Sequence, residues 1–200
     1  MPRPIRSLAV AALLAVAAAT LPANAAADER NAYVALKGGA FFPAATSDVV
    51  VSGLPAIGSL KTGPAFELAI GANWVLLGAQ LSVGWYHSGN ANVEVNAFPI
   101  TGIFQLRIPI VFVVPYAEAG VGAWITSAKN IPANKSSTIV AFETLAGLGV
   151  DFYLGPLLLG AEAKYLWVKP TYSWDLSSVR TSVTLQENGV VVTLNLGYRF

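Results

Sequence analysis

The stretch Val190-Val191-Val192-Thr193-Leu194-Asn195-Leu196-Gly197-Tyr198-Arg199-Phe200 alternates along its length. Val190, Val192, Leu194, Leu196, Tyr198 and Phe200 share one parity, and Thr193, Asn195, Gly197 and Arg199 the other. Successive side chains of a β-strand point to opposite faces, so this period of two predicts a strand with one apolar and one polar face. From Pro64 to Trp74 the same rule sets Phe66, Leu68, Ile70, Ala72 and Trp74 against Glu67, Gly71 and Asn73. Pro64 suits the first residue of such a strand, where no ladder donor is needed. Over residues 98–108, Phe98, Ile100, Gly102, Phe104, Leu106 and Ile108 oppose Thr101, Gln105 and Arg107. Helical periodicity, which groups residues three or four apart, fits none of these runs.

Extended along the chain, the rule predicts strands near 31–42, 64–75, 79–88, 96–108, 112–125, 138–153, 157–169 and 188–200. Each reaches the roughly 9 to 11 residues with which a tilted strand crosses a bilayer. Short connections, such as Leu154-Gly155-Pro156, alternate with long ones, such as 43–63, Thr126–Ser137 and Lys169–Ser178. That rhythm places tight turns at one rim and extended loops at the other. Asn188-Gly189 fits a type I′ hairpin turn or a bulge in a last strand that begins near Arg180, and the bulge is favoured because it gives the alternating Thr181, Val183 and Leu185 a place.

Composition narrows the environment. The 200 residues are 54% hydrophobic and only 12% charged, about half the charge of an average soluble domain. Met1–Ala25 carries Arg3 and Arg6, an apolar run from Leu8 to Leu21, and Ala23-Asn24-Ala25, the pattern of a secretory signal peptide cleaved after Ala25 or Ala27. Residues 26–200 then form one barrel domain. Losing Arg3 and Arg6 from twelve basic residues, against eleven acidic ones, leaves a net charge of −1, without the basic footprint that nucleic acid demands. The absence of cysteine removes disulfides and thiol chemistry, no cluster has metal-ligand spacing, and no cofactor is expected. Gly38-Gly39 and Gly147-Leu148-Gly149 precede no helix and are not phosphate loops.

The strand charges decide which face meets what. Lys37, Glu67, Arg107, Glu118, Glu143, Asp151, Glu162, Lys164 and Arg199 fall on the parity opposite the apolar stripe. A soluble barrel would put apolar side chains inside and charges outside. A basic residue facing lipid at midplane costs roughly 2 to 4 kcal/mol, so these charges belong in the lumen, paired acid to base. The fold predicted is all-β: an eight-stranded antiparallel up-and-down transmembrane β-barrel. Placing the chain's start in the periplasm sorts Phe42, Phe66, Trp85, Phe98 and Trp167 to one rim and Trp74, Phe152, Tyr198 and Phe200 to the other, two aromatic girdles at the two membrane interfaces.

The ending Leu194-Asn195-Leu196-Gly197-Tyr198-Arg199-Phe200 resembles the assembly signal of bacterial outer-membrane barrels. Gly147-Leu148-Gly149-Val150-Asp151-Phe152-Tyr153-Leu154-Gly155-Pro156, followed by Gly160-Ala161-Glu162-Ala163-Lys164-Tyr165, resembles the penultimate hairpin of small barrels of the outer membrane protein A and outer membrane protein X type. The resemblance implies a Gram-negative outer membrane, contact with its lipid and lipopolysaccharide, and delivery by periplasmic chaperones to the barrel-assembly machinery, which would read Leu194, Leu196, Tyr198 and Phe200. It also implies a monomer with both termini periplasmic and the long loops extracellular.

His87-Ser88-Gly89-Asn90-Ala91 resembles the His-x-Ser-Asn-Ala motif of outer-membrane lipid A deacylases, in which His and Ser form the catalytic pair. Here the Ser is one position too close, and the segment lies in the third strand rather than near the C-terminus. His87 is the chain's single histidine and is read as a rim residue at headgroup level. The sequence reading is therefore a non-enzymatic barrel with a structural or surface-interaction role and a polar, plugged lumen. It is set against a narrow channel for small or hydrophobic solutes, as in outer membrane protein W, and against a lipid A-modifying enzyme. The apolar stretches Asp48–Pro55 and Tyr172–Leu176 would carry loop specificity.

Overall fold

The computed structural model describes residues 31–44, 60–91, 93–110, 112–131, 135–168, 170–176, 179–184 and 187–200. The signal segment 1–25, its cleavage site and the stretch Asp48–Pro55 lie outside them. Among the described residues ten strands follow in order: β1 (Asn31–Pro43), β2 (Gly63–Asn73), β3 (Leu77–Gly89), β4 (Val93–Arg107), β5 (Val113–Asn130), β6 (Lys135–Leu154), β7 (Leu157–Val168), β8 (Thr171–Leu176), β9 (Val179–Thr184) and β10 (Gly189–Arg199). Eight of them close an antiparallel barrel in the order β1-β10-β7-β6-β5-β4-β3-β2. First and last strands are joined in register from Tyr33↔Arg199 to Pro43↔Gly189, so the cylinder has no free edge.

The end that carries Asn31 and Arg199 is called lower. Its connections are tight. Leu154 pairs with Leu157 across Gly155-Pro156, and Gly155 takes φ 63, a conformation that costs glycine little and other L-residues much. At the upper end β5 and β6 run beyond the expected 125 and 138, to Asn130 and Lys135, because the polar residues of the presumed loop continue the ladder as Ser127↔Thr138 and Ala128↔Ser137.

The last strand differs from expectation. Asn188 is no bulge: it accepts from Val168 N through its side chain at 2.8 Å and from Ala44 N through its carbonyl at 2.7 Å, and the barrel strand starts at Gly189. Thr181 and Val183 belong to β9, which pairs with β8 from Thr171↔Thr184 to Leu176↔Val179 as a hairpin separate from the barrel. Alternation reveals a strand but not its partner, and the partner was the segment read as loop.

The wall is apolar outside and mixed within. Leu36, Phe66, Phe104, Phe142, Leu148, Leu194 and Leu196 are all more than half exposed, whereas Lys37, Glu67, Arg107, Glu118, Glu143, Asp151, Glu162 and Lys164 are buried. Not all of the interior is polar, however. Trp124, Phe41 and Tyr86 pack in the upper lumen, with ring centroids 5.8 Å apart for Phe41–Tyr86 and 5.5 Å for Tyr86–Trp124, among Leu145, Leu166, Val168 and Val191. A smaller group, Tyr33, Ala35, Ala69 and Leu158, closes the lower end. The charges occupy the layer between.

Candidate functional site

Two polar networks draw on the strands β3 and β4, one inside the wall and one outside. The inner one centres on Lys164, whose Nζ lies 2.6 Å from Glu67 and 3.0 Å from Glu162. Lys37 meets Glu162 at 2.5 Å. Tyr86 donates to Glu67, and Tyr116 donates to Glu162 at 3.0 Å. Lower down, Arg107 pairs with Asp151 at 2.5 Å, donates to Gln105 and Tyr153, and lies 5.0 Å over the Tyr116 ring. These ions are dry, and their partners satisfy charge and hydrogen bonds together, the condition under which a buried ion persists.

Not every acid finds a base. Glu118 accepts from Gln105 Nε2 at 3.1 Å and Glu143 from Thr101 at 3.3 Å, and neither forms an ion pair among the described residues. Arg199 is placed inside, 4.1 Å over the Tyr153 ring, and forms no ion pair among the described residues. Counting charges per parity cannot show that these groups lie at different heights. Buried Glu187, which accepts from Trp124 Nε1 at 2.6 Å, escaped the sequence reading because it precedes the last strand and belongs to no alternating run.

Phe42, Trp74, Phe152 and Trp167 are exposed on the outer wall, Trp85 is half-buried there, and Leu194, Leu196, Tyr198 and Phe200 form the exposed edge of the outer face of β10.

The outer network lies at the upper end. Strand parity turns His87 outward beside Trp85 and turns Ser88 inward, where it is buried. Adjacent strand residues face opposite sides, so His87 and Ser88 cannot form the pair that the motif resemblance implies. Cross-strand register supplies other neighbours: Asn96 lies opposite His87, and Ser127 lies opposite Asn96. Asn96 Nδ2 donates to Glu94 Oε1 at 3.3 Å, which leaves Asn96 Oδ1 as acceptor for Trp85 Nε1 at 3.3 Å and His87 Nδ1 at 3.1 Å. His87 therefore carries its proton on Nδ1 and presents Nε2 as a lone-pair base. The imidazole also stacks on Trp85, centroids 6.0 Å apart. A rim cavity of about 460 Å³ opens beside it, lined by Lys61, Thr62, His87, Asn90 and Glu94 among others.

This stretch of wall is also where comparison with known proteins bears. Residues 66–166 match the family profile of lipid A 3-O-deacylase (PagL). The chain belongs to the lipid A 3-O-deacylase (PagL) family. The expectation of a non-enzymatic protein is thereby overturned: the matched span contains His87, which the sequence reading had assigned to a passive place at the rim. That reading weighed the motif's spacing and its place in the third strand, and neither departure removes a chain from its family. The departure in the motif stands, and residues C-terminal to His87 contain no other histidine.

Solved structures agree on the fold. Neisserial surface protein A superposes with a TM-score of 0.61 at 14% identity, over 85% of this chain and 97% of that one. Outer membrane protein OprG from Pseudomonas aeruginosa gives 0.64 at 16% identity, over 86% and 98%. Outer membrane protein AlkL, determined by solid-state NMR in lipid bilayers, gives 0.58 at 19%, over 90% and 95%. No curated protein matches the chain. The PagL-family chain is an eight-stranded outer-membrane β-barrel.

Proposed function

We propose that this barrel removes an ester-linked acyl chain from the glycolipid of the outer leaflet, working on the outside of its wall with His87 as general base. One observation carries the reading: the only histidine of the chain projects outward at the upper rim, its Nδ1 tied to Asn96 and its Nε2 open. Family membership supports lipid A as the substrate class. A water at Nε2 gives its proton to the imidazole while its oxygen attacks the acyl carbon. The C–O bond to the sugar breaks, and the imidazolium returns the proton to the departing alkoxide. Water takes the place that the motif gives to serine, since Ser88 faces the lumen. Mass spectrometry of lipid A from cells making the wild type should show the loss of one acyl chain, absent with His87→Ala. An identical acyl pattern with and without the wild-type protein overturns the reading.

This chemistry requires the upper rim to face outward, with the termini periplasmic and the upper loops extracellular. Lipopolysaccharide is then the lipid at His87. Chaperones and the barrel-assembly machinery deliver the chain, with Leu194, Leu196, Tyr198 and Phe200 as its signal, and the working form is a monomer. The lumen serves as a plug rather than a conduit, which the dry ion pairs and the Phe41–Tyr86–Trp124 cluster support. In planar bilayers the protein should give no discrete conductance steps, whereas reproducible steps would restore the channel reading.

A further inference from the structure

Below the rim cavity, on the same outer face, the wall carries a second recess of about 610 Å³. Its floor is the backbone at Gly38 and Gly84, and its walls include Leu36, Phe66, Leu68, Trp85 and Leu194. The two recesses follow one another along β2 and β3. The upper one ends at Pro64 and His87, the lower one begins two residues further down at Phe66 and Trp85, and the stacked Phe66–Trp85 rings, 6.0 Å apart and 9° from parallel, mark the join.

Gly38 is what makes the lower recess. At its neighbour Gly39 a Cβ would meet the β10 backbone at Val192 O, 1.9 Å away, so packing forbids any side chain. A Cβ on Gly38 would meet only the Phe66 ring at 3.6 Å, an ordinary contact. Packing does not demand a glycine at 38, yet a large side chain there would enter the groove. The combination is amphipathic in the direction of the membrane normal: an apolar trough facing hydrocarbon, leading up to a polar cavity that holds Lys61. This lysine is exposed and forms no ion pair among the described residues. Glu94, the acid that also lines the cavity, is engaged with Asn96.

We infer that the trough around Gly38 seats one acyl chain of a phosphorylated glycolipid, with Lys61 holding its phosphate and the ester brought to His87. The inference rests on the hydrolase reading for the role of His87 but concerns binding, and binding is measured separately. An acyl chain already in hydrocarbon gains only packing contacts from a groove that fits it, so a filled trough loses affinity while the rest of the wall keeps its general lipid coat.

The experiment is native mass spectrometry of the full chain in detergent with purified lipid A added. The wild type is expected to retain one lipid A adduct. Gly38→Phe should lower its occupancy about tenfold. Gly102→Phe, at another outward glycine whose Cβ would meet only Val121 O at 3.9 Å, should leave it unchanged. Lys61→Ala should weaken the adduct of lipid A but not that of its dephosphorylated form. Full occupancy in Gly38→Phe, or equal loss in Gly102→Phe, overturns the seat. If Gly38→Phe binds normally while His87→Ala abolishes cleavage, the seat fails and the hydrolase reading stands. If Gly38→Phe loses the adduct and the wild type never cleaves lipid A, the hydrolase reading fails and the seat stands.

Discussion

The inner and outer networks, which both draw on β3 and β4, are built from similar residues and behave as opposites. Inside, Lys164 is enclosed by two carboxylates and Glu162 by two lysines, a tyrosine and an amide, so the ions that knit the layer are committed to one another. Outside, Asn96 collects His87, Trp85 and Glu94 but leaves one imidazole nitrogen uncommitted. Saturated polarity builds structure. Reactivity requires a group whose orientation is fixed and whose valence is not spent.

Breaking the inner network tests the first half of that contrast and should produce the largest loss of stability. Lys164→Met leaves Glu67 without a base in the buried interior and Glu162 with Lys37 alone, and should cost about 3 to 5 kcal/mol, read as a lower denaturant midpoint for the barrel folded in lipid vesicles. Leu148→Arg, on the exposed outer face of β6, puts a charge on the lipid side instead and should cost about 2 to 4 kcal/mol near midplane, measured the same way. If this substitution cost nothing, the face would not be in hydrocarbon. The outer network answers in rate rather than stability. Asn96→Ala frees the imidazole and should lower kcat about tenfold with KM unchanged, a barrier increase of about 1.4 kcal/mol. Ser88→Ala, on the far side of the wall from His87, should leave lipid A cleavage unaltered, and loss of cleavage would show that the histidine uses this serine after all.

Much of this contrast was legible as parity. The runs ending in Phe200 and spanning Pro64–Trp74 assigned inside and outside from alternation alone, because one face of each strand had to enter hydrocarbon. Register was not legible. That His87 stands opposite Asn96 depends on a turn only three residues long between Gly89 and Val93, where Asn90 N donates to Val93 O at 2.8 Å, and a longer loop had been expected there. Height was equally hidden: Glu118 and Glu143 share the parity of the bases without sharing their level. Trp124 shares parity with Glu118, yet it sits in an apolar layer that no rule of polar-inside alternation foresees. The matched family changed the assignment of His87, which spacing had argued away from chemistry.

The seam between β1 and β10 has a consequence for how the molecule comes into being. Tyr33 finds its mate in Arg199, so the strand made first waits for nearly the whole polypeptide before its outer edge is satisfied. Until that moment the two terminal strands offer open ladders to any passing chain. The cylinder can be latched only after β10 has been made, and whatever escorts it must keep both lips of the seam apart from other copies until they meet each other.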